Sequence, residues 1–273
     1  GGEEYAENEL DKWLYLNYTV PYNIEVVYRW DAAQSYSSLS EVQLVPVEFD
    51  AVQPMMAALR DVWFKPYIQA TGNSLDFLKE VAPKKIVLVG SPEYQNGSFK
   101  LGQAEGGRKI LLLNVNNFDA SNENELKEAL HTIVHEFTHI LHQTKLFNQE
   151  YQTISTGRYN SNWTLLNDSE ARHQGFITNY AMLNKDEDFA EMVSGILVFG
   201  YEWFKDTVLA EAAKSTENPH AKADLEAKLA IVNSYFKETW NIEFFDNETS
   251  GEPGLESYFR MAIEEVVSNP PTK

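Results

Sequence analysis

The residues best suited to chemistry in this sequence form the motif His135-Glu136-Phe137-Thr138-His139. On an α-helix, residues four positions apart lie about 40° apart around the axis, so both imidazoles can reach one metal ion. Neutral imidazole suits Zn²⁺, and Glu136 follows the first ligand directly, where it can accept a proton from an attacking water. The motif therefore predicts zinc held by His135 and His139, with Glu136 as the catalytic general base.

The helix predicted around this motif, residues 123–145, has two opposed faces. At about 100° per residue, apolar side chains fall on one side of the axis and histidines fall on the other. The apolar set is Leu126, Leu130, Ile133, Val134, Phe137 and Leu141, and the histidine set is His131, His135, His139 and His142. His131 and His142 are candidates to support the ligands or to contact a substrate, although a plain structural or surface role is the simpler interpretation of each. The alternative for the whole face is a histidine-rich surface helix without a metal.

A catalytic zinc site usually has three protein ligands and one water, so a third ligand is needed. The extended motif HExxHxxGxxH would supply it locally, but His142 stands at its glycine position and Lys145 at its last histidine. Glu187, near the start of a predicted helix at residues 186–200, is the preferred candidate. Glu191 lies one turn later, where its carboxylate can orient a ligand histidine by accepting the other ring N–H.

Other assignments of these polar residues stay open. Asn184 and Glu187 have the spacing of an N-terminal capping pair, which would explain both residues without a metal. Glu191 or Glu170 is the second choice for the third ligand, and His173 is a poorer one. Tyr180 precedes Glu187 by seven residues, and a tyrosine hydroxyl near zinc can stabilise an oxyanion, but ordinary packing explains it equally well.

The segments HEFTHILHQ (135–143) and NYAMLNKDEDFAEMV (179–193) resemble the zinc-binding metallopeptidases that are exported lipoproteins of Bacteroidetes. These proteins are described as substrate import-associated zinc metallohydrolase lipoproteins. The pattern Tyr-x6-Glu-x-Phe-Ala-Glu is also similar to the catalytic domain of anthrax lethal factor. The resemblance, which spans about residues 128–199, implies a gluzincin-type site with Glu187 as the third zinc ligand and Tyr180 as a catalytic residue.

The resemblance also implies a location and partners. We expect an exported outer-membrane lipoprotein, facing the periplasm or the cell surface, with an outer-membrane importer as a neighbour and a peptide or glycopeptide as substrate. Members of the family carry their lipid on a cysteine at the mature N-terminus. This sequence contains no cysteine, so we expect membrane attachment only through a lipid anchor that lies outside residues 1–273.

Composition narrows the classes of partner and site. The formal net charge of −19 disfavours nucleic acid and anionic membrane as partners. The absence of cysteine excludes disulfides, thiolate zinc sites and cysteine nucleophiles. No apolar run approaches the roughly 20 residues that a membrane-spanning helix needs.

Strand patterns come early in the chain and helical patterns come later, which predicts an α+β architecture. The predicted strands cover residues 24–30, 43–49 (an edge strand because of Pro46) and 85–90, and residues 99–103 are predicted to form a hairpin with 109–115. The predicted helices cover residues 7–17, 55–70 (broken at Pro66), 123–145 (capped at Ser121 or Asn122), 186–200, 202–213, 221–240 and 255–267. A long loop is predicted at residues 150–175. With the resemblance, this implies a zincin-like fold: a small mixed β-sheet lobe packed on the active-site helix, and a C-terminal helical lobe. We place the lobes at residues 1–150 and 151–273, with the cleft between them.

Together these features predict a zinc-dependent metallohydrolase, and more specifically a metallopeptidase. The hairpin before the active-site helix is expected to form the upper rim of the cleft and to pair with an extended substrate. One alternative is a non-catalytic cell-surface protein that binds glycan or peptide for nutrient import and retains a zinc site. Another is hydrolysis of a non-peptide amide or glycopeptide bond by the same residues.

Overall fold

The computed structural model of the protein describes residues 8–29, 45–91, 93–95, 98–100, 102–105 and 108–272. It confirms the α+β architecture: a small sheet and many helices make up the chain. The chain divides into two compact units, Gly1–Ile68 with Asn73–Ile140 and Ala262–Lys273, and Gln69–Gly72 with Leu141–Met261. The two lobes at residues 1–150 and 151–273 stay a prediction. One boundary between the compact units lies between Ile140 and Leu141, inside the helix Glu123–Thr144.

The sheet belongs to the first unit. The strands are β1 (Glu25–Val27), β2 (Lys85–Leu88), β3 (Glu93–Gln95), β4 (Ser98–Lys100), β5 (Gly102–Glu105) and β6 (Lys109–Leu112). Four of them form one sheet in the order β1-β2-β6-β5, in which the first three are parallel and β5 is antiparallel to β6. The parallel centre is apolar because both of its faces are covered, and its buried cluster is Val87, Val89, Leu111 and Leu113.

The predicted hairpin is confirmed for β5 and β6, which pair from Glu105 with Lys109 to Gly102 with Leu112. Phe99, at the start of that prediction, lies instead in β4, which pairs with β3 in a separate two-stranded sheet. The predicted strand at 85–90 corresponds to β2, and the one at 24–30 corresponds to β1.

The predicted strand at residues 43–49 is wrong where the structure describes it, because residues 45–48 are irregular and a helix follows. Val45 nevertheless lies beside the segment that follows β2, since the Val45 carbonyl accepts a hydrogen bond from the Gly90 N–H at 2.8 Å. Pro46 has no N–H with which to extend a ladder. The Asn116 side-chain amide donates to the Pro46 carbonyl at 3.2 Å instead. A side chain at Gly90 would collide with both, since its Cβ would lie 2.4 Å from the Pro46 oxygen.

The helices of the N-terminal half are α1 (Glu9–Leu14), α2 (Val20–Tyr22), α3 (Phe49–Leu59), α4 (Lys65–Ala70) and α5 (Asp76–Val81), with π turns at Tyr15–Thr19 and Arg60–Phe64 and a 3₁₀ turn at Val115–Asn117. They differ from prediction in three ways: α3 begins at Phe49 and not at Met55, α5 was not predicted, and two π-helical turns occur. The predicted break at Pro66 is wrong, because the chain stays helical through it. The Lys65 N–H donates a hydrogen bond to the Arg60 carbonyl, which forms a π turn just before Pro66. This turn lets the helix continue although Pro66 has no N–H to donate.

The helix that carries the motif is α6 (Glu123–Thr144), which confirms the prediction for residues 123–145. Asn122 caps it, since the side-chain oxygen of Asn122 accepts from the Glu125 N–H at 3.1 Å. The apolar face is buried. Phe137 lies on that face, with its ring centroid 5.5 Å from Trp63 and 5.1 Å from Tyr67.

The second half is helical, as predicted. Its helices are α7 (Tyr151–Ile154), α8 (Asp168–Gln174), α9 (Lys185–Phe199), α10 (Tyr201–Trp203), α11 (Ala210–Ala212), α12 (Ala221–Trp240) and α13 (Leu255–Ser268), with 3₁₀ turns at Trp163–Leu165 and Tyr180–Met182 and a π turn at Phe204–Leu209. None of the helices in the described part of the chain is long and apolar enough to cross a membrane.

The long loop predicted at residues 150–175 is wrong in part, because α7 and α8 lie within it. One of the asparagines that suggested a loop acts as a helix cap. Asn167 accepts from the Glu170 N–H at 2.8 Å, and the Glu170 carboxylate accepts from the Asn167 N–H at 3.2 Å, which completes a capping box.

We expect Phe137→Ala to lower the free energy of unfolding by about 3–5 kcal/mol, because it leaves a cavity beneath the turn of α6 that contains His135 and His139. Urea denaturation measures the change. Leu165→Ala is the control: that side chain is 79% exposed, so its removal should change stability by about 0.5 kcal/mol or less. Equal stability of the two variants would contradict the burial of the apolar face.

Candidate metal centre

The two motif histidines lie on one turn of α6 and are both buried, at 4% and 9% exposure. The Nε2 atoms of His135 and His139 are 3.1 Å apart, and the two rings are nearly perpendicular at 87°. Two nitrogens bound to one tetrahedral zinc, each at about 2.0–2.1 Å, lie about 3.4 Å apart. The helix therefore presents both imidazoles at close to the spacing that a shared metal ion requires.

The third predicted ligand, Glu187, lies in the first turn of α9. Asn184 caps this helix, and its side-chain oxygen accepts from the backbone N–H of Glu187 at 2.9 Å. The capping interpretation is therefore correct for the backbone, and it does not compete with a ligand role, since this hydrogen bond uses the backbone N–H of Glu187. One ligand atom each from His135, His139 and Glu187 lies within 4.8 Å of the other two.

This donor set fits zinc. Two imidazole nitrogens and one carboxylate oxygen are the protein ligands of a three-ligand catalytic zinc site, which leaves a fourth position for water. Among the residues that the structure describes, no second group of His, Asp and Glu satisfies the same geometry. The alternative ligands have other contacts: the Glu170 carboxylate closes the capping box of α8, and His173 lies 3.5 Å from Glu217.

The two predicted catalytic residues, Glu136 and Tyr180, lie close to these ligands in the sequence. Glu136 is half-buried and follows His135 on α6. Tyr180 is half-buried in the 3₁₀ turn before α9, with its ring centroid 4.9 Å from that of Trp163. Their catalytic roles stay predictions.

Glu191 has a contact that sequence reasoning missed. Its buried carboxylate accepts a hydrogen bond from the Thr178 hydroxyl at 2.7 Å, and that hydroxyl accepts in turn from the Ala181 N–H at 3.3 Å. Glu191 thus ties the turn that contains Tyr180 to α9. Its predicted contact with a ligand histidine stays a prediction.

The remaining histidines of α6 differ in their surroundings. His142 is buried and meets the rings of Phe147 and Phe189 edge-on, at 5.6 and 6.2 Å. These two phenylalanines stack at 4.1 Å, so His142 contributes to an aromatic core. His131 is half-buried, one turn before His135. A role for either histidine at the metal stays a prediction.

The family of the chain follows from comparison with known proteins. Residues 3–245 match the model of a family described as putative zinc-binding metallo-peptidase. The chain belongs to this family. A crystal structure of a putative zinc-binding metallo-peptidase from Bacteroides caccae is similar, with 31% identity and a TM-score of 0.75 over 95% of this chain and 93% of that one. The comparison with curated proteins gives no match.

These matches confirm the predicted resemblance to zinc-binding metallopeptidases and the predicted fold. They agree with the local geometry, because a group of two histidines and one glutamate that could hold a metal ion is present in a chain of a zinc-binding family. The lipid anchor and the association with import stay predictions from the resemblance.

Sequence reasoning missed a buried ion pair beside the third ligand. Asp188 and Lys228 are both fully buried, with the Lys228 ammonium 2.9 Å from the Asp188 carboxylate. Burial raises the pKa of Asp188 and lowers that of Lys228, and the attraction between the two charges opposes both shifts. A signal was present: Lys228 falls at helical spacing between Leu225 and Val232, on the buried face of α12.

We expect Glu187→Gln to weaken zinc binding by more than about tenfold, since the neutral amide is a poor ligand. Competition with a chromophoric chelator measures the affinity. Glu170→Gln is a matched control, because Glu170 also follows a capping asparagine by three residues in the first turn of a helix. Zinc affinity that falls in the control but not in Glu187→Gln would reassign the third ligand.

Proposed function

We propose that the protein is a zinc-dependent metallohydrolase that cleaves peptide bonds. The observation that carries this proposal is the group of His135, His139 and Glu187, with the Glu136 carboxylate next in sequence to the first histidine. A structural zinc site is usually closed by four protein ligands. Three ligands of this kind, with an acid-base residue beside them, are the arrangement of a hydrolytic site.

The mechanism assigns one task to each residue. When bound, zinc lowers the pKa of water and polarises the carbonyl of the substrate. The Glu136 carboxylate accepts the proton of the attacking water and then delivers it to the leaving amine nitrogen. The Tyr180 hydroxyl donates a hydrogen bond to the carbonyl oxygen as negative charge develops there.

An extended peptide, free or glycosylated, is the proposed substrate. β5 lies at the end of the strand order and runs antiparallel to its neighbour, and edge strands of this kind can pair with an extended chain. The net charge of −19 favours neutral or cationic peptides over acidic ones. The same charge argues against nucleic acid as a partner.

We also propose export, a lipid anchor and a place beside an outer-membrane importer. The support is the resemblance of the segments 135–143 and 179–193 to exported lipoproteins of Bacteroidetes. Fractionation of cells that express the native gene tests this proposal independently of the catalytic one.

We expect the zinc-loaded protein to cleave members of a random peptide library, and a chelator to stop the cleavage until zinc is restored.

Glu136→Gln should retain zinc but lose activity by about 10²–10⁴-fold, because the amide cannot accept the proton of water. Mass spectrometry of the products measures cleavage, and metal analysis measures zinc content. Full activity in Glu136→Gln would contradict the mechanism. Zinc binding without cleavage of any peptide would favour the binding-protein alternative.

Tyr180→Phe should lower kcat by about 10²–10³-fold and leave KM within a few-fold, since the hydroxyl acts on charge that develops only in the transition state. Steady-state kinetics on a peptide found in the library measure both constants. Tyr201→Phe is the control, because that tyrosine is in α10, 37% exposed, and has no proposed part in the reaction. A change in KM alone would make Tyr180 a substrate-binding residue.

A further inference from the structure

A single buried ammonium group joins both ends of the segment that carries Tyr180 and Glu187. Lys228 donates from Nζ to the carbonyl of Gly175 at 2.8 Å and lies 2.9 Å from the Asp188 carboxylate. Gly175 ends α8 with φ +98°, and Asp188 lies in the first turns of α9. The chain between these two anchors contains both proposed functional residues.

The anchor has little room to move, because it is surrounded by aromatic rings. The Lys228 ammonium lies 4.0 Å from the centroid of the Phe176 ring, a cation–π contact. The Tyr159 hydroxyl donates to the Asp188 carboxylate at 2.8 Å. In this dry environment both charges depend on their present partners, and displacing either one is costly.

The fourth group of the cluster is the Tyr151 hydroxyl. This hydroxyl and the Oδ1 atom of Asp188 are both buried. Burial and the nearby Asp188 carboxylate raise the pKa of Tyr151, so it stays a neutral phenol facing the anion. The cluster therefore holds one anion, one cation and two neutral phenols.

Stability alone is a weak explanation for this cluster. A buried ion pair can often be replaced by apolar residues of similar volume with no loss of stability, since desolvation offsets most of the attraction. What apolar residues cannot reproduce is direction, because hydrogen bonds to a carbonyl and a carboxylate fix atoms to within a few tenths of an ångström. The cluster thus points to a geometric role for the segment it anchors.

The anchor acts directly on the metal ligand because Asp188 and Glu187 are neighbours on α9. Successive side chains on a helix project about 100° apart, so holding the Asp188 side chain limits the rotation of the first turn and sets the direction of the Glu187 Cα–Cβ bond. The far end of the segment is held at Gly175 by the same ammonium group. The Tyr180 turn between them is tied to α9 through Thr178 and Glu191.

We propose that Asp188 and Lys228 are positioning residues of the metal centre, which fix the Glu187 carboxylate and the Tyr180 turn relative to each other. This inference rests on the proposed function. It adds that residues without contact to metal or substrate set zinc affinity and the rate of turnover. Tyr159 supports the same arrangement through its bond to Asp188.

The test is the double variant Asp188→Asn with Lys228→Met, which preserves side-chain volume and leaves neither charge without its partner. We expect cooperative unfolding to be retained, zinc affinity to fall by about 10–100-fold, and kcat to fall more than KM. Co²⁺ bound in place of zinc should show a changed visible absorption spectrum, since that spectrum reports ligand geometry. A folded double variant with wild-type zinc affinity and Co²⁺ spectrum would overturn the proposal.

If the double variant does not fold, two less disruptive single variants test the same positioning role. Tyr159→Phe and Tyr28→Phe each remove one hydroxyl that donates to a buried carboxylate, to Asp188 and to Asp11 respectively. We expect Tyr159→Phe to change zinc affinity and the Co²⁺ spectrum, and Tyr28→Phe to change neither. Identical behaviour of both variants would overturn the proposal. A wild-type protein that binds neither metal would refute the proposed function itself, which keeps the two failures distinguishable.

Discussion

The candidate metal centre depends on one constraint: two of its three proposed ligands are local to one helical turn, and the third comes from a distant part of the chain. His135 and His139 need only an intact α6, because helix geometry sets the distance between their rings. Glu187 belongs to another helix, α9, so its place in this group depends on the fold and not on one helical turn. A dry ion pair, a capping asparagine and the Glu191 contact all act on that region.

The two asparagine caps of the second half show how tertiary surroundings decide the use of one local motif. Asn167 with Glu170 and Asn184 with Glu187 have the same spacing, and each asparagine accepts from the N–H of its glutamate. At α8 the glutamate bonds back to the cap and completes a box. At α9 the glutamate joins two histidines in a group that could hold a metal ion. Glu187 was preferred as the third ligand because Glu191 follows it by one helical turn, and the resemblance to a known family favoured the same residue.

Features that depend on interactions between residues close in sequence could be predicted, and features that depend on long-range contacts could not. The helix α6, its cap and its opposed faces came from local periodicity, and so did the bounds of α12. The strand expected at residues 43–49 was wrong from residue 45 onward, where the Asn116 side chain donates to the Pro46 carbonyl and accepts from the Glu48 N–H. The partner of Asp188 could not be predicted, since an isolated lysine is rarely buried and only the fold shows which carboxylate meets it.

The charge of the buried Lys228 affects the electrostatic surroundings of the proposed ligand Glu187. The first turn of α9 contains Asp186, Glu187 and Asp188, which the positive end of the helix dipole favours but which repel one another. Lys228 balances the charge of Asp188 inside the core, so that carboxylate adds little to the field at Glu187. The two carboxylates assigned to the site, Glu136 and Glu187, then match the two positive charges of a zinc ion.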